Sequence, residues 1–345
     1  MNIVIAIQHP AWAHQFQGII KQLRCEGHNV LTLAIRKEMN ITLLEYYGIT
    51  YTLIARSTGR GIIEKAWLLL YTSIRYYLKA RKHKADLFIG RATPNIAIAA
   101  RLLGKPSLVF EDTGHAIVGL FFCRLFATKI MTNKTFKRYL GKKHTYVDSY
   151  KELFYLHPDH FTPDSSVLAL AGLAPNEPFF ILRFVAWEAD HDFGHKGLSI
   201  ETKRKAVEEL GKLGKVFISS EKELPQEFER FRMPLAPEKM HHLLYFATLV
   251  FGESTTMAAE AAVLGTHAVL CHISRMGYVD ELENIYQLIS TVILSSGPQE
   301  QSVLKAVALA REPGIREIGK EKRKRLLAEK RNGARLFLEE IRRFF

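Results

Sequence analysis

The stretch NIVIAIQHPAWAHQFQGIIKQLRCEGHNVLTLA, residues 2–34, decides the fold. It begins at 2–7 with a continuous apolar run rich in β-branched residues, which is typical of a buried parallel strand. Apolar residues then recur at helical spacing over 14–26, Gly27 ends that helix, and 28–34 predicts a second strand. A short helix at 37–47 and a strand at 49–55 follow. This β-α-β-α-β order predicts a doubly wound parallel sheet.

The same alternation continues along the 345 residues, with an irregular stretch at about 133–176. It resumes with a predicted strand at 178–183 and ends in a predicted helix over 315–345. The fold class is therefore α/β, with two Rossmann-like doubly wound domains facing a cleft. We expect a first domain over 1–165, a second over 175–330, and a C-terminal helix at 331–345 that returns to the first domain. Ligands of such sheets bind outside the carboxyl ends of the strands.

The charge balance favours a polyanionic partner. The chain has 48 Lys and Arg against 35 Asp and Glu, a formal net charge of +13, which suits nucleic acid, an anionic membrane surface or a phosphate-bearing substrate. Basic residues cluster at 56–84 and 315–345. Such amphipathic helices can lie on anionic lipid, although apolar residues facing the core would give the same pattern. No nucleic-acid-binding motif accompanies the charge, so nucleic acid is not favoured.

Cysteine usage and hydropathy predict a cytoplasmic protein that is at most peripheral to a membrane. Cys25, Cys123 and Cys271 are widely separated and form no disulfide framework or metal motif. The first residues lack the basic region of a signal peptide. The longest nearly uncharged apolar stretches, 67–74 and 113–123, are shorter than the roughly 20 residues that span a bilayer.

The sharpest local motif is FGESTTMAAE, residues 251–260, between a predicted strand and a predicted helix. Ser254, Thr255 and Thr256 place hydroxyl groups beside the free amides of the helix N-terminus, an arrangement that suits a diphosphate. Glu260 follows one to two turns later, where a carboxylate can accept hydrogen bonds from ribose hydroxyls. The alternative is a simple N-cap with a packed or solvated Glu260.

Other candidate phosphate- and substrate-binding residues lie in the same half of the chain. Arg183 ends a predicted strand and can neutralise a phosphate, and Ser219 and Glu221 end the next strand. The long loop after Arg183 contains His191 and His195 as candidate substrate residues. We predict no metal site here, because the spacing fits no zinc motif and a fourth ligand is lacking.

The first half supplies candidate acid-base groups. His14 follows the first strand, at the predicted floor of the cleft, and can act as a general base. No Gly-rich dinucleotide fingerprint precedes it. Glu111 and Asp112 follow the strand predicted at 106–110. Capping roles for His14 and for the two acids remain open alternatives.

The chain resembles a family of archaeal and bacterial predicted glycosyltransferases that is related to the UDP-N-acetylglucosamine 2-epimerase and MurG-like GT-B group. The resemblance covers nearly the whole chain and rests on six stretches in the same order: IAIQHPAWAHQF, LRCEGHNVLTLA, FEDTGHA, FILRFVAWEADHDFGHKGLS, VFISSEKEL and FGESTTMAAEAAVLGTHAVL. In the epimerase-like relatives a Ser-Gly-Gly turn and a Glu six residues beyond its Ser hold a UDP-sugar. Ser254 and Glu260 match that spacing, whereas Thr255 and Thr256 replace the glycines. The resemblance implies GT-B architecture and no particular substrate.

Three functions follow as expectations. The leading hypothesis is a metal-independent GT-B glycosyltransferase that uses a nucleotide-diphosphate sugar, such as a UDP-sugar, as its donor and no cofactor. Its acceptor is unknown, with lipid-linked and polysaccharide acceptors as candidates. The first alternative is a nucleotide-sugar 2-epimerase, which needs acids on both sides of the sugar C2. The second is a non-catalytic protein that binds nucleotide or anionic lipid at the inner face of the membrane.

Overall fold

A computed structural model describes residues 1–37, 39–56, 61–114, 116–185, 197–220, 223–273, 275 and 277–345. These residues form two compact units. Unit 1 contains Met1–His160 and Lys330–Phe345, and unit 2 contains Phe161–Glu329. The helices and strands below are numbered in chain order across both units.

Unit 1 is built on a parallel sheet of seven strands in the order β3-β2-β1-β4-β5-β6-β7. The strands are β1 (Asn2–Ile7), β2 (Asn29–Arg36), β3 (Tyr51–Arg56), β4 (Leu87–Arg91), β5 (Ser107–Glu111), β6 (Lys129–Asn133) and β7 (His144–Val147). The helices are α1 (Pro10–Cys25), α2 (Asn40–Tyr46), α3 (Ile62–Lys82), α4 (Pro94–Leu102), α5 (Ile117–Phe126), a 3₁₀ helix (Lys151–Phe154) and, at the end of the chain, α13 (Gly333–Arg342). Reversal of the strand order beside β1 is the doubly wound arrangement that residues 2–34 predict.

Unit 2 repeats the design on five parallel strands in the order β12-β11-β10-β8-β9. Its strands are β8 (Phe179–Arg183), β9 (Lys215–Ser219), β10 (Leu249–Gly252), β11 (Ala268–His272) and β12 (Ile289–Ile293). Its helices are α6 (Ser166–Leu170), α7 (Ile200–Gly211), α8 (Met240–Phe246), α9 (Thr255–Leu264), α10 (Gly277–Asn284), α11 (Glu300–Ala310) and α12 (Ile315–Glu329), with 3₁₀ helices at Gln226–Phe231 and Pro237–Lys239.

The core of unit 1 forms because helices cover the sheet, which buries the apolar residues of its interior strands. All apolar residues of β1 are fully buried, as a continuous apolar strand requires. One apolar cluster joins the sheet to α3, α4 and α5 through side chains such as Tyr76, Ile96 and Cys123. The C-terminal helix α13 packs on unit 1 as well, where Phe337 contacts Phe16 and Phe110. Residues about 320 positions apart in the chain thus share one core.

Three of the differences from the pattern read in the sequence have a clear local cause. The first helix begins at Pro10 rather than at 14, because His9 caps it by accepting a hydrogen bond from the amide of Ala11. The four-residue strand β7 lies inside the stretch that appears irregular in the sequence. The helix predicted over 315–345 is two helices, since Asn332 starts a new one by accepting a hydrogen bond from the amide of Arg335. In each case a local polar cap or a short strand is invisible to apolar periodicity.

The longest described helix, α3, has 21 residues and carries six charged ones. None of the helices in the described part of the chain combines the length and the apolar character needed to cross a membrane.

In unit 2, α12 lies close to the end of α9. A Cβ atom on Gly319 would come within 2.2 Å of the carbonyl oxygen of Gly265, so only glycine allows this approach. His267 is buried beside the same contact. Burial, together with the charges of Lys322 and Lys320, lowers the pKa of His267 to about 4. The imidazole is therefore neutral in the folded protein over most of the acidic range.

We expect His267 to make the protein sensitive to acid. The pKa of His267 in the folded protein lies below its ordinary value of 6.5. Between pH 6.5 and 4 the imidazole is therefore protonated in the unfolded chain but neutral in the folded chain. The free energy of unfolding should fall across this window by up to about 3 kcal/mol through this group. Denaturant titrations at several pH values should show a shallower fall for His267→Gln. His83→Gln, at the C-cap of α3 in unit 1, is the control, and equal slopes for all three proteins would contradict the assignment.

Candidate functional site

Three neighbouring strands of unit 2 end at the same level and place two of the predicted site residues, Arg183 and Ser219, together. Arg183, the last residue of β8, pairs with Ser219 at the end of β9 on one side and with Gly252 at the end of β10 on the other. The Arg183 guanidinium donates a hydrogen bond to Ser219 Oγ over 3.2 Å. The carboxyl edge of this sheet therefore presents a cation beside the turn that leads into α9.

Gly252 makes this turn possible. Its φ of +148° lies in a region that other residues rarely adopt, and a Cβ atom at this position would come within 2.1 Å of the Arg183 carbonyl oxygen. The next amide, that of Glu253, donates to the same carbonyl over 2.9 Å. Close approach of the two backbones thus requires glycine here.

The N-terminus of α9 has the arrangement of an anion site. Ser254 is its N-cap, and its hydroxyl accepts a hydrogen bond from the amide of Met257 over 3.3 Å. Within the described part of the chain, the amides of Thr255 and Thr256 have no acceptor. Both threonines are partly exposed. Two unpaired donors at the positive end of a ten-residue helix favour a negatively charged group.

Glu260 lies inside α9 and is buried, with 6% of its surface exposed. Its Oε1 is 3.0 Å from Nε2 of His241, which belongs to α8. From Thr255 to Glu260 the helix rises by about 7.5 Å. The carboxylate is therefore held in a fixed orientation about one and a half turns beyond the free amides. Of the two interpretations open from the sequence, Ser254 is an N-cap, and Glu260 is packed against His241 rather than solvated.

Glu253 has a role that the sequence did not reveal. One of its carboxylate oxygens accepts a hydrogen bond from the amide of Val185 over 2.8 Å, and the other accepts one from the amide of Leu198 over 2.6 Å. Glu253 thereby joins the two described ends of the loop that follows β8. The candidates His191 and His195 within this loop, and Glu221 after β9, lie outside the described residues.

In unit 1, His14 lies inside α1 and does not cap it. The ring is 8% exposed, its Nδ1 is 2.6 Å from the hydroxyl of Tyr47, and it stacks on Tyr155 with ring centroids 5.4 Å apart. Two aromatic neighbours from distant parts of the chain thus fix the orientation of the imidazole. Such fixing is what a general base needs, and the capping alternative for His14 is wrong.

Glu111 ends β5 and organises the turn after it. Its Oε1 accepts hydrogen bonds from three successive backbone amides, those of Asp112, Thr113 and Gly114, at 3.0–3.3 Å, and one from the Thr113 hydroxyl at 2.9 Å. Within the described residues, Oε2 accepts no hydrogen bond.

Asp112 belongs to a buried charge cluster, which we define as Arg91, Glu111, Asp112, Lys151 and Glu152. Arg91, at the end of β4, forms an ion pair with Asp112 and lies 3.5 Å from Glu111. Lys151 approaches Asp112 at 3.2 Å and Glu152 at 2.8 Å. All five side chains are nearly excluded from solvent. The cluster thus brings two cations and three carboxylates into one buried region at the carboxyl edge of the sheet.

Burial and charge act in opposite directions within this cluster. Burial raises the pKa of Asp112, but the charges of Arg91 and Lys151 outweigh it, so the pKa lies below its ordinary value. Glu152 has no comparable compensation, and burial raises its pKa. Asp112 is therefore an ionised structural partner and a weak base.

Sequence reasoning missed several residues that complete these arrangements. Arg91 and Lys151 form ion pairs with Asp112. Tyr47 forms a hydrogen bond with His14, and Tyr155 stacks on its ring. His241 forms a hydrogen bond with Glu260. Each partner comes from another element, so no local motif marks it. Only Arg91 could have been found from the sequence, because it lies at the end of a strand adjacent to the strand that ends at Glu111.

The fold is found in known protein structures. One similar structure is a putative UDP-N-acetylglucosamine 2-epimerase from Listeria monocytogenes. The superposition covers 99% of this chain and 95% of that protein, with a TM-score of 0.70 and 13% sequence identity. A second similar structure is glycosyltransferase VinC in complex with DTDP. The superposition covers 99% of each chain, with a TM-score of 0.63 and 13% sequence identity. The same coverage holds for MurG from Acinetobacter baumannii, with a TM-score of 0.59 and 16% identity.

No family model matches the chain, and no curated protein sequence does. The structural likeness therefore concerns the fold. Glycosyltransferases and a 2-epimerase share two Rossmann-like domains with this chain, so the predicted GT-B fold class is confirmed, and so is the resemblance to the epimerase and MurG-like group at the level of fold.

Proposed function

We propose that the protein is a GT-B glycosyltransferase that takes its sugar from a nucleotide-diphosphate donor bound to unit 2. The single observation that carries this proposal is the junction between β10 and α9. There, the amides of Thr255 and Thr256, which are unpaired within the described residues, follow the end of β10, and Arg183 ends the neighbouring strand β8. Such a junction suits a diphosphate better than any neutral ligand.

The proposed chemistry is displacement at the anomeric carbon of the donor sugar. An acceptor oxygen forms the new bond to this carbon as the bond to the β-phosphate oxygen breaks, and the nucleoside diphosphate leaves with the bonding electrons. The positive end of α9, the Thr255 and Thr256 hydroxyls and the Arg183 guanidinium would stabilise the developing negative charge. Glu260 would accept hydrogen bonds from the ribose, in place of or in addition to that from His241.

The proton of the acceptor hydroxyl needs a base, and we assign this role to His14 of unit 1. The ring is held by Tyr47 and Tyr155, and histidine titrates near neutral pH. Glu111 is the second candidate for the base, because its Oε1 already accepts hydrogen bonds from the backbone amides of the turn after β5. Asp112 is disfavoured, since its ion pairs lower its pKa and a weaker base accepts a proton less readily.

A nucleotide-sugar 2-epimerase is the second candidate function. The observation in its favour is Glu111, whose Oε2 accepts no hydrogen bond from the described residues while its Oε1 is fixed. A carboxylate held in this way can exchange a proton with a carbon acid. Proton return on the opposite side of C2 needs a second acid, and the ion-paired Asp112 suits that role poorly.

Two measurements test the proposal. Melting temperatures with a panel of UDP-, GDP- and TDP-sugars should show a rise for at least one nucleotide, because a ligand that binds only the folded protein stabilises it. If none raises the melting temperature while a known nucleotide-binding protein responds, the proposal fails. Incubation of the stabilising sugar in heavy water without an acceptor then separates the two reactions. Deuterium at C2 selects the epimerase, and an unlabelled sugar that is transferred to an acceptor selects the transferase.

A further inference from the structure

Three cations share one side of α12, the side that packs on α9. Arg316, Lys320 and Arg323 are spaced by four and three residues, which places them on the same side of the helix. All three are partly buried. Within the described residues, none of them has a carboxylate oxygen within 4 Å. Because cations that leave the solvent are ordinarily paired with acids, this row needs other partners.

Backbone carbonyls at the ends of two helices satisfy two of the three cations. The Lys320 ammonium donates to the carbonyls of Tyr245, near the end of α8, and Leu264, the last residue of α9, over 2.7 and 2.9 Å. Arg323 Nε donates to the carbonyl of Val263 over 2.9 Å. The last carbonyls of a helix have no intrahelical partner and lie at its negative end. Lys320 and Arg323 therefore cap α8 and α9.

Arg316 is satisfied less completely. Its Nη2 donates to the carbonyl of Glu177 over 3.3 Å, and its guanidinium carbon lies 5.8 Å from the centre of the Phe179 ring. Its Nε is buried and has no acceptor among the described residues. A buried donor without an acceptor costs free energy, so an unused donor of this kind calls for water or an ion.

A cavity of about 270 Å³ adjoins Arg316 and Lys320. The other residues that line it are Tyr245, Phe246, Glu317 and Glu321. Its volume equals that of about nine water molecules at roughly 30 Å³ each, which leaves ample room for a phosphate or sulfate group. We call it the α12 cavity.

The two acids that line the α12 cavity have other neighbours. A Cβ atom on Gly314 would lie 3.7 Å from Glu317 Oε2, which places this carboxylate at the N-terminus of α12, where a negative charge is favourable. Glu321 pairs with Lys324. The α12 cavity therefore keeps an excess of positive charge.

The pKa values of the cations reflect the same excess. Burial, with the charges of Arg323 and Arg316, lowers the pKa of Lys320 to about 7, and the charge of Glu317 opposes this only in part. Burial also lowers the pKa of Arg316 and that of Arg323. A bound anion would favour the protonated forms, because an opposite charge nearby stabilises a cation.

We propose that the α12 cavity binds a small oxyanion, either free phosphate or the phosphate group of a larger metabolite, between Arg316 and Lys320. The site is distinct from the donor site. Thr255 begins α9 at the donor site, and Leu264 ends the same helix beside Lys320, so about 14 Å of helix separates the two. The inference therefore stands whether or not unit 2 binds a nucleotide.

Calorimetric titration of the full chain with sodium sulfate tests the proposal. Ionic strength is held constant with sodium chloride, because salt screens such a site. Sulfate keeps both negative charges between about pH 6 and 8.5, whereas Lys320 loses its proton within this range. We expect saturable binding that weakens about tenfold from the lower to the higher pH. The other titratable or charged groups that face Lys320 are Arg316, Glu317, Arg323, Tyr245 and His267.

Two variants assign the binding to the α12 cavity. Arg316→Met removes none of the helix-capping hydrogen bonds and should weaken sulfate binding about tenfold. Lys320→Arg should retain affinity at high pH, because its guanidinium stays charged. The control Lys324→Met, an exposed cation on the same helix, should bind as the wild type does.

The sources of the oxyanion are separated by titration with inorganic phosphate, glucose 6-phosphate and AMP. Tighter binding of inorganic phosphate identifies the free ion as the ligand, and tighter binding of either ester identifies a phosphate-bearing metabolite. Absence of saturable sulfate binding, equal affinity at both pH values, or equal affinity of Arg316→Met and the wild type would overturn the proposal. In the last case, sulfate would bind elsewhere, such as at the start of α9.

Discussion

Glu260→Gln should weaken the binding of the nucleoside diphosphate that stabilises the wild-type protein by about 10- to 100-fold. The carboxylate is buried and held by His241 at 3.0 Å, so it is oriented before a ligand arrives. A hydrogen bond to a charged group contributes roughly 1.5–3 kcal/mol, and the amide of glutamine keeps the shape of the side chain while removing its charge. Isothermal titration calorimetry measures the change directly.

The matched control for this prediction is Glu321→Gln. Glu321 lies on α12 of the same unit with an exposed side chain and pairs with Lys324. Its replacement should leave the dissociation constant unchanged within a factor of two. A dissociation constant for Glu260→Gln as close to the wild-type value as that of the control would show that the ribose does not contact this carboxylate.

Arg91→Met should lower the stability of the folded protein by about 3–5 kcal/mol, the largest effect on stability that we expect for a single replacement. Removing the guanidinium leaves Asp112 and Glu111 buried with fewer counter-charges. An uncompensated buried charge is strongly destabilising even where the intact ion pair contributes little. Urea unfolding followed by circular dichroism measures the change, provided that the transition of unit 1 is resolved from that of unit 2.

Arg101→Met provides the comparison, because Arg101 is exposed on α4 in the same unit. Its replacement should change the free energy of unfolding by less than about 0.5 kcal/mol. If Arg91→Met is equally mild, the charge cluster does not hold the carboxyl edge of unit 1 together, and the reason for disfavouring Asp112 as a base disappears.

Apolar periodicity was sufficient to predict the fold because both sheets are parallel and buried. Strand β1 agrees with its predicted bounds, 2–7, since a continuous run of β-branched residues is typical of a strand with both faces covered. The apolar run of β8 behaves in the same way, because the strand begins one residue after its predicted start at 178 and ends at Arg183 as predicted. Strand β7 was missed because it has only four residues with little apolar character, HTYV.

The candidate site was predictable only where it is local in sequence. Ser254 caps a helix whose first residues follow it directly, so the motif shows both partners. Tyr47 and Tyr155 lie 33 and 141 residues from His14, and 19 residues separate His241 from Glu260. Lys151 meets Asp112 through a short 3₁₀ helix in a stretch that looks irregular. Packing of distant elements decides these contacts, and a single sequence does not record it.

The most direct test of the central claim is a crystal structure of the protein soaked with the nucleoside diphosphate that raises its melting temperature most. We expect the phosphate oxygens to lie about 2.7–3.2 Å from the amides of Thr255 and Thr256, with the ribose hydroxyls at Glu260. Density for the nucleotide at the carboxyl edge of unit 1, or side chains that cover the start of α9 while the nucleotide binds elsewhere, would contradict the account.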